Sequence, residues 1–363
     1  MRQLKRVFLL LICMGIISFL PNLVRAAVNG PCVNCHIMHN SQDGQDVDAG
    51  GPYGHLTKGD CIGCHTGTNS GGGTSTGTIP YVYSTTEPTY GTTTLAGGNF
   101  YWVADDGGDN DTKGHNVLGL SGQDQNIPAG TGAGQGAPGG WAGCAGCHST
   151  LAAEQTVVPE LGSGCEGCHL AVKHHKSGST TEYIADEEDG WFRFCSGHMS
   201  GGGHGVEGIE DDDWQYTNSS TDHNEYLGFV GTHTANAGFY NLGHTMTAYC
   251  CGCHGGFHTQ DDSGLWVRHP SDAYLPGGTT EYAAYTTYSP EAPVARPDLD
   301  GWTIPSSTVT PDGATDMVMC LSCHRAHGSP YDDMLRWDYD GQVAGGGGDD
   351  GTGCFTCHTT KDD

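Results

Sequence analysis

Cys-x-x-Cys-His occurs seven times in this chain, and the repeat constrains the fold more than any other feature of its 363 residues. Cys32 and Cys35 precede His36, Cys61 and Cys64 precede His65, Cys144 and Cys147 precede His148, and Cys165 and Cys168 precede His169. Three further copies join Cys250 and Cys253 to His254, Cys320 and Cys323 to His324, and Cys354 and Cys357 to His358. The spacing is a covalent requirement of c-type haem. Two thiols one short turn apart meet the two vinyl groups, and the next residue swings its imidazole under the iron as proximal ligand. A single Cys-x-x-Cys suits a zinc knuckle or a thiol redox pair. Seven, each followed by His, suit neither. The expected cofactors are seven covalently bound haem c groups.

The amino terminus agrees with that chemistry, because c-type haem is attached outside the cytoplasm. Arg2, Lys5 and Arg6 form a basic start, Val7 to Leu20 is an apolar run short for a membrane span, and Val24-Arg25-Ala26 offers small residues at cleavage positions. Residues 1–26 read as a secretory signal peptide and 27–363 as a single heptahaem cytochrome unit, secreted through the periplasm to the cell surface or beyond. No second apolar stretch approaches membrane length. Fourteen of the 17 cysteines belong to haem motifs and Cys13 lies in the signal, which leaves Cys195 and Cys251 as a candidate disulfide. Removing Arg2, Lys5, Arg6 and Arg25 takes the formal charge from −28 to −32. A phosphate backbone would be repelled by such a surface, so nucleic acid is excluded as a partner. Acidic runs such as Asp186–Asp189 and Glu210–Asp213 read as solvated surface. Asp105, Asp106, Asp109 and Asp111 have the carboxylate density of a calcium loop without its full pattern.

Only 36% of residues are hydrophobic and 60 are glycine, too apolar-poor for an ordinary core. Seven porphyrins resolve the conflict by forming the apolar interior that the polypeptide wraps. The expected fold is therefore mostly irregular, with short helices and few strands around a closely packed haem chain. The helices should be short turns beginning at the haem motifs. Tyr81-Val82-Tyr83 and Phe100-Tyr101-Trp102-Val103 read as strands of a hairpin, and residues 121–140 as a Gly/Pro/Ala-rich loop or linker.

Of 20 histidines, the seven motif residues leave 13, more than the seven sixth ligands needed. Bis-histidine ligation throughout is available, and it leaves no open iron for a substrate. His39, His258 and His327 sit three or four residues behind His36, His254 and His324, and His174 and His175 closely follow His169. The two axial ligands of one iron approach from opposite faces, whereas residues three or four apart on a helical turn lie side by side. His39, His258 and His327 therefore do not suit the haem anchored just before them; any of them that ligates iron must reach a neighbouring haem, and one that does not is a surface or propionate-binding histidine. His115, His204, His223 and His269 are further distal candidates. His55, His198, His233 and His244 complete the set, and several of the 13 are spare.

At this point the residues resemble a known family. Cys32-Val33-Asn34-Cys35-His36-Ile37-Met38-His39-Asn40 is similar to the amino-terminal haem signature of outer-surface multihaem cytochromes that polymerise into extracellular nanowires, the tetrahaem and hexahaem filament cytochromes of metal-reducing bacteria. Gly114-His115-Asn116-Val117, the stretch from Cys253-His254 through Phe257-His258 to Arg268-His269-Pro270, and Cys320 to Gly328 resemble further blocks in the same order. Gly205 to Asp211 resembles a segment of related multihaem proteins. The resemblance implies a loop-dominated fold, bis-histidine haems in alternating parallel and T-shaped pairs, and end-to-end polymerisation. It also implies that His39 ligates a haem of the adjacent subunit, for which the His324 haem is the first candidate. With seven motifs rather than four or six, this chain cannot simply copy the family's haem path.

The sequence thus reads as an electron carrier without catalytic residues: a heptahaem cytochrome that polymerises into a conductive extracellular filament. Its partners are further copies of itself and other redox proteins or minerals. A non-polymerising periplasmic or surface shuttle is the first rival. A multihaem oxyanion reductase is the second, and none of the seven motifs carries the variant proximal ligand that often marks one.

Overall fold

Short elements follow from a glycine-rich chain punctuated by turns and by the haem motifs. The structure, a computed structural model, describes residues 31–67, 79–89, 94–104, 110–124, 151–154, 164–170, 172–175, 183–184, 188, 190–196, 205–229, 243–254, 269–302, 304–345 and 351–361. The signal segment, most of the Gly/Pro/Ala-rich run, Asp105, Asp106, Asp109 and the Cys144–His148 motif lie outside these residues. Among those described, α1 (Cys61–His65), α2 (Tyr101–Ala104), α3 (Met246–His254) and α4 (Cys320–Cys323) are the α-helical pieces. Three of the four contain haem-motif residues. Asp60 caps α1 by accepting the Gly63 N–H at 2.6 Å, satisfying one of the amides that a helix start leaves unpaired. No helix among the described residues is long and apolar enough to cross a membrane.

The strands are two or three residues long. β1 (Ser41–Gln42) and β2 (Gln45–Asp46) form a small exposed hairpin. β3 (Tyr183–Ile184), β4 (Gly208–Ile209), β5 (Glu225–Leu227), β6 (Ala273–Tyr274), β7 (Ala295–Arg296) and β8 (Met317–Val318) form one sheet in the order β3-β4-β5-β7-β8-β6. All its pairings are antiparallel except β5 with β7, where Tyr226 stands opposite Ala295. Phe192, Val206, Tyr226, Met246, Ala295, Met317 and Met319 pack into one cluster around this sheet, and Leu275, Tyr285, Tyr288, Val294 and Val309 into another. β8 runs through Met319 directly into α4, so the sheet delivers the Cys320 motif.

A charged group threads the same region. Arg296 donates from Nε to Glu225 Oε2 at 3.1 Å and from Nη1 to Asp316. The Ser306 amide adds a 2.6 Å bond to Glu225, and the Arg296 guanidinium also reaches the Thr308 and Ser306 carbonyls. All three charged residues are at most 2% exposed. Arg296 spans β7 to Glu225 on β5 and to Asp316 just before β8, tying three neighbouring strands by side chains where the ladders are very short.

Two expectations change. Phe100–Val103 does not form a strand: residues 101–104 are α2, and the i, i+3 spacing puts Phe100 and Val103 together against Val82 and Val117. The two aromatic segments still meet, since the Phe100 amide donates to Val82 O at 2.8 Å. Cys195 and Cys251 are not bonded to each other. Each is buried in a different cluster, with its Sγ directed to a main-chain carbonyl, of Arg193 and Thr247 respectively.

Backbone contact holds the loop behind Cys320. Gly328 pairs with both Gly98 and Gly114, and a Cβ on Gly328 would stand 2.8 Å from Asn99 O and 2.9 Å from Lys113 O. Only glycine admits that approach.

Removing Arg296 leaves two buried carboxylates without their counter-ion. Arg296→Met should destabilise the protein by about 3–5 kcal/mol in calorimetric or denaturant unfolding, and adding Glu225→Gln with Asp316→Asn should restore much of it. A second test concerns Asp211, whose carboxyl is pushed up to about 7 by burial and by hydrogen bonds with Asp213 and Asp222. The folded state then holds this proton more tightly than the unfolded chain, so stability falls as pH rises through that value. Asp211→Asn should melt above the parent at pH 8.5, with the advantage shrinking toward pH 5.

Candidate haem-binding sites

A haem motif becomes a site by closing one turn. The His N–H donates to the carbonyl of the first cysteine in His36 to Cys32 at 2.8 Å, His169 to Cys165 at 2.8 Å, His324 to Cys320 at 3.1 Å and His358 to Cys354 at 3.0 Å. That bond gathers two thiols and one imidazole on one short arc, the arrangement a porphyrin needs from a single side.

The other side is supplied from elsewhere in the chain. An imidazole nitrogen stands about 2.0 Å from a bound first-row metal, so two rings on opposite sides of one ion hold their centres roughly 6 Å apart. Among the described residues, five pairs meet that spacing. His36 faces His175 at 5.8 Å, His65 faces His174 at 6.2 Å, His169 faces His327 at 6.2 Å, His254 faces His115 at 6.1 Å, and His358 faces His269 at 6.2 Å. Each pair joins one motif histidine to one outside the motifs. Directly stacked histidines look different: His223 lies 3.5 Å from the Tyr288 ring and His244 4.7 Å from Trp191. The five wider gaps fit an iron between two imidazole nitrogens, and the motif cysteines that precede His36, His65, His169 and His358 supply the thiols for thioether attachment.

Ring orientation is fixed from behind. Nδ1 of His36 donates to His55 O at 3.1 Å, of His65 to Pro80 O at 2.8 Å, of His169 to Arg193 O at 3.1 Å and of His324 to Asp333 O at 2.8 Å. Among the facing partners, His115 donates to Ala326 O at 2.6 Å and His269 to Pro270 O at 2.9 Å. With Nδ1–H spoken for, Nε2 is the free lone pair. His358 instead donates to a carboxylate, Glu281 Oε1, at 2.7 Å. That hydrogen bond, with help from Lys361, holds the Glu281 carboxyl below its usual range. Desolvation pushes His65, His115, His169, His174, His324 and His327 below the ordinary imidazole range, which keeps them in the neutral form that binds metal.

Three of the carbonyls come from one device. His55, Arg193 and Asp333 have φ of 59°, 51° and 56°, and the residues after them, Leu56, Phe194 and Met334, have φ of 58°, 57° and 57°. These are left-handed turns built without glycine, costing about 1–2 kcal/mol per residue. Each aims a carbonyl at a motif imidazole. The sequence gives no warning of them, because none of the six residues is Gly or Asn.

Other candidates fall elsewhere. His39 is exposed at the surface, and no imidazole faces His324 among the described residues. His223 has both nitrogens engaged, Nδ1 with Ser219 O at 3.1 Å and Nε2 with Glu225 Oε1 at 3.3 Å, and it belongs to the buried charged group. His244 stands 3.7 Å from Glu207. His55 contributes its carbonyl. His198, His204, His233, His258 and the whole Cys144, Cys147, His148 motif lie outside the described residues, and the side chain of Cys253 is likewise not described. Neighbouring motifs touch through sulfur: Cys61 lies within hydrogen-bonding reach of Cys165, and Cys250 of Cys320. The carboxylates of Asp211, Asp212 and Asp213 cluster in the β4–β5 connection, and Asp211 is buried rather than solvated as its acidic run suggests, because it accepts the Asp213 and Gln215 amides.

Comparison with known proteins gives three findings. The family model described as a doubled CXXCH motif matches residues 313–363, which contain the last two motifs. The outer membrane cytochrome S filament from Geobacter sulfurreducens is similar with 20% identity and a TM-score of 0.45, over 88% of this chain and 86% of that one. A cryo-EM structure of the OmcS nanowires of the same organism is similar with 19% identity and a TM-score of 0.44, over 86% and 84%. No curated protein matches the sequence significantly. At these values the structural likeness is loose, and the functional reading stands on the histidine geometry.

Proposed function

We propose that this chain is an exported heptahaem c-type cytochrome that conducts electrons and assembles end to end into an extracellular filament. The observation that carries the electron-transfer reading is the set of five imidazole pairs, each 5.8–6.2 Å between ring centres and each holding one motif histidine. Haem c supplies reversible one-electron chemistry at its iron when bound. His36 with His175, His65 with His174, His169 with His327, His254 with His115, and His358 with His269 would each hold one haem iron between two imidazoles, for five haems. Occupied axial positions leave no place for a substrate, which favours a carrier over a reductase.

The same residues hold the sites close together. His174 and His175 are consecutive and serve the first two motifs. The Cys61 and Cys165 sulfurs bring the second and fourth side by side. His327 links the fourth to the sixth, and the Cys250 and Cys320 sulfurs join the fifth and sixth. Continuity of this kind is what conduction through one subunit requires.

Continuity between subunits is assigned to His39 and His324. His39 is exposed; residues 36–39 are not helical, but His36 already faces His175, and among the described residues His324 lacks a facing imidazole. A bond from His39 of one copy to the iron held by His324 of the next makes assembly and electrical contact the same event. Exposed Val33, Met38 and Leu56 beside His39 give that end an apolar surface to bury.

His39→Ala should leave all seven haems covalently attached by mass spectrometry, turn one iron per subunit high-spin, and abolish or shorten filaments in micrographs. Normal polymers with every haem low-spin would remove His39 from the interface. A monomeric parent protein would favour the shuttle. The oxidised parent should also show two classes of electron paramagnetic resonance signal. Rings inclined by only 26° and 20°, as at His36–His175 and His65–His174, separate the two π-type iron orbitals and give rhombic spectra. The 88° crossing at His269–His358 leaves them nearly degenerate and gives a single large-g feature. A large high-spin signal would count against the ligand pairs.

A further inference from the structure

The motif histidines differ in what receives their Nδ1–H. His36, His65, His169 and His324 donate to main-chain carbonyls at 2.8–3.1 Å, and His358 alone among these five donates to a carboxylate, Glu281 Oε1, at 2.7 Å. We propose that Glu281 is a redox-tuning residue that gives the haem on Cys354, Cys357 and His358 the lowest reduction potential of these five sites. The proposal rests on the heptahaem reading above and adds to it an energetic step within one subunit.

The physical argument has two parts. A carboxylate pulls on the imidazole proton more strongly than a carbonyl, which raises electron density at Nε2 and makes the ring a better donor to Fe(III) than to Fe(II). Its negative charge, a few ångström behind the ligand, also favours the more highly charged oxidation state. Glu281 keeps the proton on Nδ1 throughout. Reduction therefore takes one electron from a neighbouring haem, which is oxidised in turn, and takes up no proton at this site.

Placement shows a fixed group rather than a wandering surface acid. The Glu281 carbonyl accepts both the Thr359 amide at 2.7 Å and the Thr359 Oγ1–H at 2.8 Å, so its backbone is clamped to the residue after the ligand. The Tyr282 ring flanks the imidazole at 5.2 Å. Lys361 approaches the same carboxylate oxygen at 3.8 Å from a side chain that is 57% exposed. The Glu281 side chain is itself 27% exposed, so solvent screens part of its field. The expected effect is about tenfold in the reduction equilibrium, about 59 mV for one electron.

The test is a potentiometric titration of the assembled full-length protein, followed by the large-g signal expected from the 88° pair. Glu281→Gln keeps an oxygen to accept the hydrogen bond and removes the charge. It should raise the midpoint of that one signal about tenfold in equilibrium, leave the remaining haems nearly unmoved, and keep all irons low-spin. Glu281→Asp, which restores the charge, should return the midpoint toward the parent value. An unmoved midpoint in Glu281→Gln, or an equal shift at every haem, overturns the proposal. So does the appearance of high-spin iron, which would make Glu281 a structural support. A Cys354–Cys357 peptide lacking haem mass would instead overturn the underlying reading, and mass spectrometry shows that ahead of the potential measurement.

Discussion

One turn of backbone can offer a porphyrin only one face, and most of this molecule follows from that limit. Cys-x-x-Cys-His closes on itself through a backbone hydrogen bond from the histidine N–H to the carbonyl of the first cysteine, as at His324 and Cys320. The turn cannot reach the far side of the ring it anchors. The second imidazole must come from a distant stretch of chain, so each facing pair joins two segments: His115 to His254, His327 to His169, and His269 to His358. On the proposed ligation, metal bonds do the cross-linking that a hydrophobic core does in an ordinary domain. Long helices and broad sheets become unnecessary, and the chain spends its residues on loops that carry imidazoles to their places.

The loops are not slack. Polar side chains hold the sheet region where ladders of two residues would be weak alone, with Arg296 reaching from β7 to Glu225 and Asp316. The left-handed turns at His55–Leu56, Arg193–Phe194 and Asp333–Met334 are conformations that L-residues avoid. Their recurrence behind three motif histidines indicates that the surroundings over-determine them, as is usual where backbone strain serves a site. A carbonyl aimed at Nδ1 fixes which nitrogen faces the gap, and the strain is the cost of aiming it.

The sequence was legible wherever covalent chemistry dictates spacing. The seven motifs, the short turns at them and the irregular fold follow from Cys-x-x-Cys-His and from a composition too polar to fill a core. His327 does face His169 rather than His324, although residues 324–327 are extended and bent rather than the helical turn the spacing suggests. What could not be read was which distant segment meets which. Nothing local in Lys173-His174-His175 points to His65 and His36, since that pairing depends on how separate loops pack. The left-handed turns carry no glycine to mark them. Aromatic residues at Phe100–Val103 mimic a strand although their useful spacing is helical. His223 resembles the other candidates in its neighbourhood, yet burial against Glu225 and Tyr288 commits it to the protein interior. Glu281 stands far from His358 in sequence and offers no motif at all.

His174 and His175 carry a consequence for how such a protein is made. On the proposed ligation, these two imidazoles would have to reach two different irons from adjacent positions in the chain. Two neighbouring residues, their Cα atoms about 3.8 Å apart, are then nearly interchangeable as competitors for two different metals. An exchange would give a chain with its full complement of cofactors and a crossed connection, invisible to a count of haems. The Phe194 ring, 6.0 Å from His174 and tilted by 59°, belongs to one of the left-handed turns and stands beside that competitor. A rigid aromatic beside His174 makes the surroundings of the two imidazoles unequal, so on the proposed ligation packing rather than sequence position tells these neighbours apart.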